Sequence, residues 1–295
     1  MKERAGVLIV AVLVVANIFL IPLAFKNAQG LGTDVAEQPA PTRKDAPETK
    51  RSARPEQGAG VGSTNAPLLM SSGGQLIVYA PRSSCAGGVD PQLRLSDDRG
   101  KTFRPVELDP KATAVLGLEV DEERVLVLAA EKSCRVVGYE SRDRGRSWDS
   151  VTPEGRWHLD GSLGARRVQS PDGPVATPCV PRSMSTVRND VVRLLCPDGR
   201  ILRTPDEQAW TVVGRLKGAD AFRFPIPEVG FALAPRARCE AAVMRTTDSG
   251  ATWERLACLD GGPARGISGQ DGRYAAAVGD TVQVSDDRAE SWGTP

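Results

Sequence analysis

One short pattern recurs along this chain and constrains its fold more than any other feature. A small hydroxyl residue is followed two positions later by Asp, then by Gly, and finally by Ser or Thr and an aromatic ring. The copies are SDDRGKTF from Ser96, SRDRGRSW from Ser141, TPDEQAW from Thr204, TTDSGATW from Thr246 and SDDRAESW from Ser285. A pattern that returns at a nearly constant interval predicts a repeat architecture.

Each copy has the composition of a tight turn. The Asp side chain can accept hydrogen bonds from backbone N–H groups just ahead of it, which folds the chain back. The Gly allows a positive φ, so Ala289 in the last copy should strain or alter its turn. The hydroxyl and the ring can attach the hairpin to its neighbour. The positions concerned are Ser96, Asp98, Gly100, Phe103, Ser141, Asp143, Gly145, Trp148, Asp206, Trp210, Thr246, Asp248, Gly250, Trp253, Ser285, Asp287 and Trp292.

These peptides resemble the Asp-box, or BNR repeat, of sialidase-like β-propellers. In that family the box lies in the turn between the third and fourth strands of a blade, on the rim away from the central ligand-binding face. The full copies match it with Phe103 in place of Trp and Ser147 in place of Thr, whereas the copy from Thr204 is one residue short and lacks the Gly. The resemblance runs from about Pro67 to the C-terminus. It implies a β-propeller and says little about activity.

Apolar or alternating segments of strand length fill the intervals between the boxes, and no long helical period appears among them. The domain is therefore expected to be all-β. The starts of consecutive boxes are separated by intervals close to the roughly 40–50 residues of a four-stranded blade, except for one longer interval. This spacing predicts five blades, with an insertion at 155–182 in the third. The alternative is a sixth blade without a box in that interval. Because the last box ends close to the C-terminus, we expect Ala66–Met70 to complete the last blade.

The N-terminal part has a different composition. Residues 6–25 are almost entirely apolar and follow Lys2 and Arg4, which predicts a transmembrane signal anchor after a short cytoplasmic end at 1–5. The alternatives are a cleaved signal peptide and a buried helix. Residues 26–65 are rich in Pro, Ala and charged side chains and predict a disordered tether. We therefore expect a single-pass membrane protein with its propeller, 66–295, outside the membrane.

The net charge and the cysteine content limit the classes of partner, cofactor and cellular compartment that fit this chain. The formal net charge is +1, so no global field attracts nucleic acid. Six cysteines favour an oxidising, extracellular compartment. Cys239 and Cys258 flank one box and are expected to pair, whereas Cys85 with Cys134 and Cys179 with Cys196 are less constrained choices. A single His and no CxxC spacing argue against a zinc site, and no cofactor is expected. Abundant Arg, Ala, Val and Gly are typical of a GC-rich bacterial genome.

The family resemblance raises the hypothesis of a sialidase-like glycoside hydrolase, whose members share an Arg-Ile-Pro motif, an arginine triad and a Tyr nucleophile. The comparable string here is FRFP, with Arg223, and it lies between the third and fourth boxes. We therefore favour a membrane-tethered module that binds a protein or glycan partner without catalysis, and keep the hydrolase as the alternative. The candidate ligand residues are Arg223, Trp157 and His158, with 155–182 as the expected binding loop.

Overall fold

The computed structural model describes residues 67–87, 91–109, 111–162, 164–188, 191–204 and 209–295. The expected anchor and tether, at 6–25 and 26–65, lie outside these ranges. Within the described ranges, no helix has the length and apolarity of a membrane span. The only helical element there is a short 3-10 turn at Cys85–Gly87, and everything else that is regular is β-strand.

The strands form six antiparallel sheets, each hydrogen-bonded in chain order, which are the blades of a β-propeller. Blade 1 contains β1 (Leu68–Gly73), β2 (Leu76–Pro81), β3 (Arg94–Ser96) and β4 (Arg104–Pro105). Blade 2 contains β5 (Ala112–Asp121), β6 (Arg124–Glu131), β7 (Val136–Ser141) and β8 (Asp149–Val151). Blade 3 contains β9 (His158–Leu159), β10 (Arg167–Ser170) and β11 (Gly173–Ala176).

The second half of the ring follows the same plan. Blade 4 contains β12 (Ser183–Arg188), β13 (Val191–Leu195), β14 (Arg200–Thr204) and β15 (Thr211–Arg215). Blade 5 contains β16 (Ala221–Arg223), β17 (Gly230–Arg236), β18 (Cys239–Thr246) and β19 (Glu254–Leu259). Blade 6 contains β20 (Ala264–Gln270), β21 (Arg273–Val278) and β22 (Thr281–Ser285).

The prediction of five blades is wrong, and the alternative of a sixth blade without a box is right. The segment expected to be an inserted binding loop, 155–182, contains the three strands of blade 3. Its strands have only two or four residues each. Gly and Pro interrupt the segment, so its sequence lacks the apolar runs that predict the strands of the other blades.

Blade 3 is also inverted relative to its neighbour. Arg156, just before β9, pairs with Glu119 near the end of β5. Gly161, just after β9, lies beside Leu116 earlier in β5 and accepts a hydrogen bond from the Cys85 N–H at 2.9 Å. The innermost strand of blade 3 therefore runs against that of blade 2.

The ring closes by packing between blades 1 and 6. A shared apolar cluster includes Leu68 and Tyr79 from blade 1 with Ala275 and Val282 from blade 6. The expectation that Ala66–Met70 completes the last blade is wrong, because Leu68–Met70 belongs to β1 and pairs with β2 across a two-residue turn. A nearby hairpin partner forms at a smaller entropic cost than one at the far end of the chain.

The four full boxes lie at one end of the propeller, which we call the box end. Each full box follows the third strand of its blade. Its fourth residue donates a backbone hydrogen bond to the turn after the innermost strand, as Arg99 N–H does to the Gln75 carbonyl at 3.0 Å. Equivalent bonds join Arg144 to Glu123, Ser249 to Glu228 and Arg288 to Gly272, at 3.1, 2.9 and 3.0 Å.

The closing aromatic of each box packs between its own blade and the preceding one. Trp148, for example, lies against the cluster shared by blades 1 and 2. Trp253 meets Phe224 edge to face at 6.1 Å and donates its indole N–H to the Gly250 carbonyl. The corresponding rings at the other interfaces are Phe103, Trp210 and Trp292.

Three disulfides join Cys85 to Cys134, Cys179 to Cys196 and Cys239 to Cys258, which are the predicted pairs. Cys85, Cys134, Cys196 and Cys239 each lie at the connection between the second and third strands of a blade. In an antiparallel blade this connection is opposite the box turn. The two ends of the propeller are thus stabilised differently, one by side-chain hydrogen bonds and the other by covalent links.

Candidate functional site

A cavity of about 430 Å³ lies on the axis of the ring at the box end, and it is here called the central cavity. Its wall is built where innermost strands end, by Ser71 of β1, Glu119 and Asp121 of β5, Thr186 of β12, Arg223 of β16 and Gln270 of β20. A propeller brings such strand ends together although they are far apart in sequence. The cavity is therefore a property of the closed ring.

A narrower space of about 70 Å³ continues from the central cavity along the axis, and we call it the inner channel. Its lining is mainly aliphatic and aromatic, with contributions from Leu68, Met70, Leu116, Leu128, Phe222 and Ile267. Arg223, Glu119 and Thr186 line both spaces. The two spaces therefore meet at a boundary that carries a guanidinium and a carboxylate.

Two of the three guanidinium groups at the central cavity are held by carboxylates. Arg156 pairs with Glu119, which also lines the cavity. Arg124 pairs with Glu140, whose other oxygen accepts hydrogen bonds from Arg142 at 3.0 and 3.1 Å. These groups are positioned by ion pairs within the chain.

Arg223 is different. Its Nε is shielded from solvent and has no hydrogen-bond partner, and no ion pair links its guanidinium to any described residue. Burial lowers the pKa of Arg223, while the charge of Glu119 acts in the opposite direction. An arginine stays protonated at neutral pH even so. The charge at the boundary between cavity and channel therefore lacks a counter-ion within hydrogen-bonding distance.

The residues predicted from sequence as ligand candidates divide into two groups. Arg223 and Trp157 line the inner channel, and Arg223 also lines the central cavity. His158 lines neither space. It is 5% exposed, its Nδ1 lies 2.9 Å from the Leu159 carbonyl oxygen, and burial lowers its pKa. His158 is therefore a packed residue of β9.

The box residues take no part in this lining. None of the described box positions named above contributes to the central cavity or the inner channel. Asp206 lies outside the described residues. The family resemblance implied a ligand face away from the boxes, whereas the larger space opens at the box end.

Sequence reasoning missed several residues of the site, namely Glu119, Asp121, Arg124, Arg156 and Gln270. A signal was present in β5, where an apolar run ends in Glu and Asp on alternate positions. Side chains two apart on a strand point to the same face, so both carboxylates face one side. Without the ring, nothing in the sequence says that this side is the axis.

The chemistry of a sialidase-type nucleophile is not assembled at the central cavity. Tyr139 packs against the cluster of blades 1 and 2, Tyr79 packs on Phe103, and Tyr274 packs on Phe231. These are all the tyrosines of the chain, and none lines the cavity or the channel. In the described part of the chain, no group of three or more His, Cys, Asp or Glu side chains is arranged to hold a metal ion.

No family model and no curated protein matches the sequence. Among solved structures, the chain is similar to YCF48 from Cyanidioschyzon merolae, with 14% identity, a TM-score of 0.44 and coverage of 75% of this chain and 82% of that one. It is also similar to YCF48 bound to D1 peptide, with 17% identity, a TM-score of 0.31 and coverage of 79% of this chain and 67% of that one. For a Niastella koreensis GH74 enzyme, the identity is 14%, the TM-score is 0.35, and the match covers 74% of this chain and 36% of that one. These are similarities of fold alone.

Proposed function

We propose that this chain is a non-catalytic binding module that receives a protein or glycan ligand at the central cavity. The observation that carries the proposal is the cavity itself, about 430 Å³ in volume and walled by strand ends from around the ring. This volume lies in the roughly 300–1,000 Å³ range of ligand sites. Its polar groups other than Arg156 are held on strands, which position side chains more rigidly than loops do.

We further propose that the module is tethered to a membrane and displayed outside it. The support is the apolar segment at 6–25 and the tether composition at 26–65, together with the pairing of all six cysteines in disulfides. Disulfides persist in oxidising compartments. In this arrangement the propeller stays near the membrane, and the tether lets the central cavity turn toward a partner.

Site-specific photo-crosslinking in the native cell tests where the ligand binds. A photo-reactive amino acid in place of Gln270, which lines the central cavity, should give a discrete covalent adduct. The same group in place of Lys132, exposed in the connection between β6 and β7 at the opposite end, is the matched control and should give none. The absence of any adduct from position 270 contradicts the assignment, whether or not position 132 gives one. The same adduct from both positions also contradicts it.

A further inference from the structure

We infer that the propeller rests on an anionic lipid surface through the end opposite the boxes, here called the disulfide end, which leaves the central cavity facing away from the membrane. This inference rests on the membrane tether of the proposed function and adds an interaction surface to it. It combines the place where the chain enters the propeller with a group of exposed cations at the same end.

The chain enters the propeller at the disulfide end. Pro67 is the first described residue, and its carbonyl oxygen accepts a hydrogen bond from the Arg82 N–H at 3.0 Å. Arg82 follows β2, in the connection that also contains Cys85. The segments proposed as anchor and tether precede Pro67 in the sequence. A membrane that holds the anchor is therefore connected to this end of the propeller.

Side-chain hydrogen bonds continue from the entry point across the disulfide end. Arg82 Nη1 donates to the Arg182 carbonyl oxygen at 2.7 Å, and Arg182 Nη1 donates to the Ala219 carbonyl oxygen at 3.1 Å. Ala219 lies between β15 and β16, in the connection from blade 4 to blade 5. Two arginines therefore link the entry point of the chain to this connection.

Four cations lie where blades 4 and 5 meet at the disulfide end, and we call them the basic patch. They are Arg215, Lys217, Arg236 and Arg238. Arg236 Nη1 donates to the Lys217 carbonyl oxygen at 3.1 Å, which joins the connection between the blades to the one between β17 and β18. Arg236 is half-buried and the other three side chains are exposed. Within the described part of the chain, none of the four forms an ion pair.

The acidic residues of this region do not neutralise the basic patch. Asp198 pairs with Arg200 at 2.6 Å, and Asp220 pairs with Arg182 at 3.1 Å. Glu240, exposed near the start of β18, offsets one of the four cations. An excess of positive charge therefore remains here, although the formal net charge of the whole chain is only +1.

An anionic lipid surface fits both the charge and the position of the basic patch. Each Lys or Arg near such a surface favours the contact by roughly fivefold, and this attraction falls off within a Debye length. The tether keeps the patch at a high effective concentration near the bilayer, so a weak contact for each cation is sufficient. The central cavity opens at the opposite end. A propeller that rests in this way presents the cavity to partners away from the membrane.

Fluorescence quenching of the full-length protein in nanodiscs tests this contact. A fluorescent amino acid replaces either Ala237, exposed beside Arg238, or Ala251, exposed in the box of the same blade. The discs contain phosphatidylcholine with nitroxide-labelled headgroups, either alone or mixed with phosphatidylglycerol. We expect phosphatidylglycerol to increase quenching at position 237 and to leave position 251 unchanged. About 1 M NaCl should remove the increase, because the Debye length is then only about 3 Å.

A triple variant assigns the increase to the basic patch. Arg215→Gln, Lys217→Gln, Arg238→Gln removes three exposed cations and keeps Arg236, whose hydrogen bond joins two connections. We expect the contact to weaken on the order of a hundredfold, from the combined loss of three cations. Quenching at position 237 should then return to its level in phosphatidylcholine alone.

A second triple variant is the matched control. Lys101→Gln, Arg146→Gln, Arg255→Gln makes the same change of charge at exposed residues of the box end. It should keep the full increase in quenching at position 237. Loss of the increase in both variants would show that the total charge, and not the basic patch, controls the contact, and would overturn the inference.

Equal quenching at position 237 in the two lipid mixtures, an equal increase at positions 237 and 251, or an increase that survives in the patch variant also overturns the inference. The tether is tested separately by carbonate extraction of native membranes. Release of the chain by carbonate removes the tether and the inference with it, whereas a retained chain with equal quenching removes only the lipid contact. The ligand site at the central cavity is tested by the adduct from position 270 and does not depend on either result.

Discussion

The box turn works through one aspartate and one hydroxyl. In the box from Thr246, Asp248 Oδ1 accepts from the Thr246 hydroxyl at 2.7 Å and from the Thr252 N–H at 2.9 Å. The last box keeps this arrangement although Ala289 replaces Gly. The Ala289 N–H donates to the Ser285 hydroxyl at 3.0 Å, and Ala289 adopts a left-handed φ of 69°. Its turn is therefore strained in backbone conformation but keeps the hydrogen bonds of Asp287 to Ser285 and Ser291.

These aspartates predict a loss of stability in acid. Hydrogen bonds from Thr252 and then Thr246 lower the pKa of Asp248 from 3.8 to about 2, and those from Ser291 and then Ser285 do the same for Asp287. The folded pKa lies below the unfolded one, so the ionised carboxylate stabilises the fold above about pH 4. That contribution disappears as the pH falls toward about 2.

Urea unfolding between about pH 2 and pH 6 measures the effect. The double variant Asp248→Asn, Asp287→Asn should have a lower free energy of unfolding at neutral pH and a flatter decline in acid than the unaltered protein. Asp172→Asn, at an exposed aspartate outside the boxes, is the control and should keep the full decline. An equally steep decline in the double variant would show that the box aspartates do not control acid stability.

At the scale of elements, the blades are held together by close contacts between a box and the outer strand of the preceding blade. Gly214 of β15 approaches the Gly250 box so closely that a Cβ would lie 1.8 Å from the Gly250 carbonyl oxygen. No side chain fits there, and the obstructing atom is backbone. Trp253 packs at the same interface.

Replacing Gly214 with Ala should therefore separate blades 4 and 5 locally. We expect Gly214→Ala to lower the free energy of unfolding by about 1–3 kcal/mol, as overpacking does in cores. Gly293→Ala, where a Cβ meets nothing within 4 Å, should change it by less than about 0.5 kcal/mol. Thermal and chemical unfolding of the two variants compare them directly. Equal stabilities would mean that the blades tolerate a wider spacing than the structure has.

At the scale of the whole molecule, the sequence was sufficient for the β-propeller architecture and for the Cys239–Cys258 pair, whereas the other two pairs were less constrained choices that the structure confirms. The box specifies its turn through its own residues, independently of the rest of the chain. Cys239 and Cys258 flank one box within a hairpin, which brings them close together. The number of blades was not predictable in the same way. Blade 3 lacks a box and has very short strands, so it leaves no local signal.

The site was predictable only in part. Arg223 was singled out by its motif, FRFP, whereas Glu119 and Gln270 looked like ordinary strand-end residues. Closure of the ring brings these strand ends to one axis, and closure depends on contacts between blades 1 and 6 at opposite ends of the sequence. Such long-range contacts have no counterpart in a local pattern.

Hydrogen–deuterium exchange tests most directly whether the axis at the box end is the binding surface. It is measured with and without the purified partner that the photo-crosslinking identifies. We predict slower exchange on binding in 118–124, 223–230 and 270–273, the segments around the strand ends that line the central cavity. The connection at 132–135, at the disulfide end, should exchange at an unchanged rate. Protection confined to 132–135, with unchanged exchange around Arg223 and Gln270, would contradict a binding site at the central cavity.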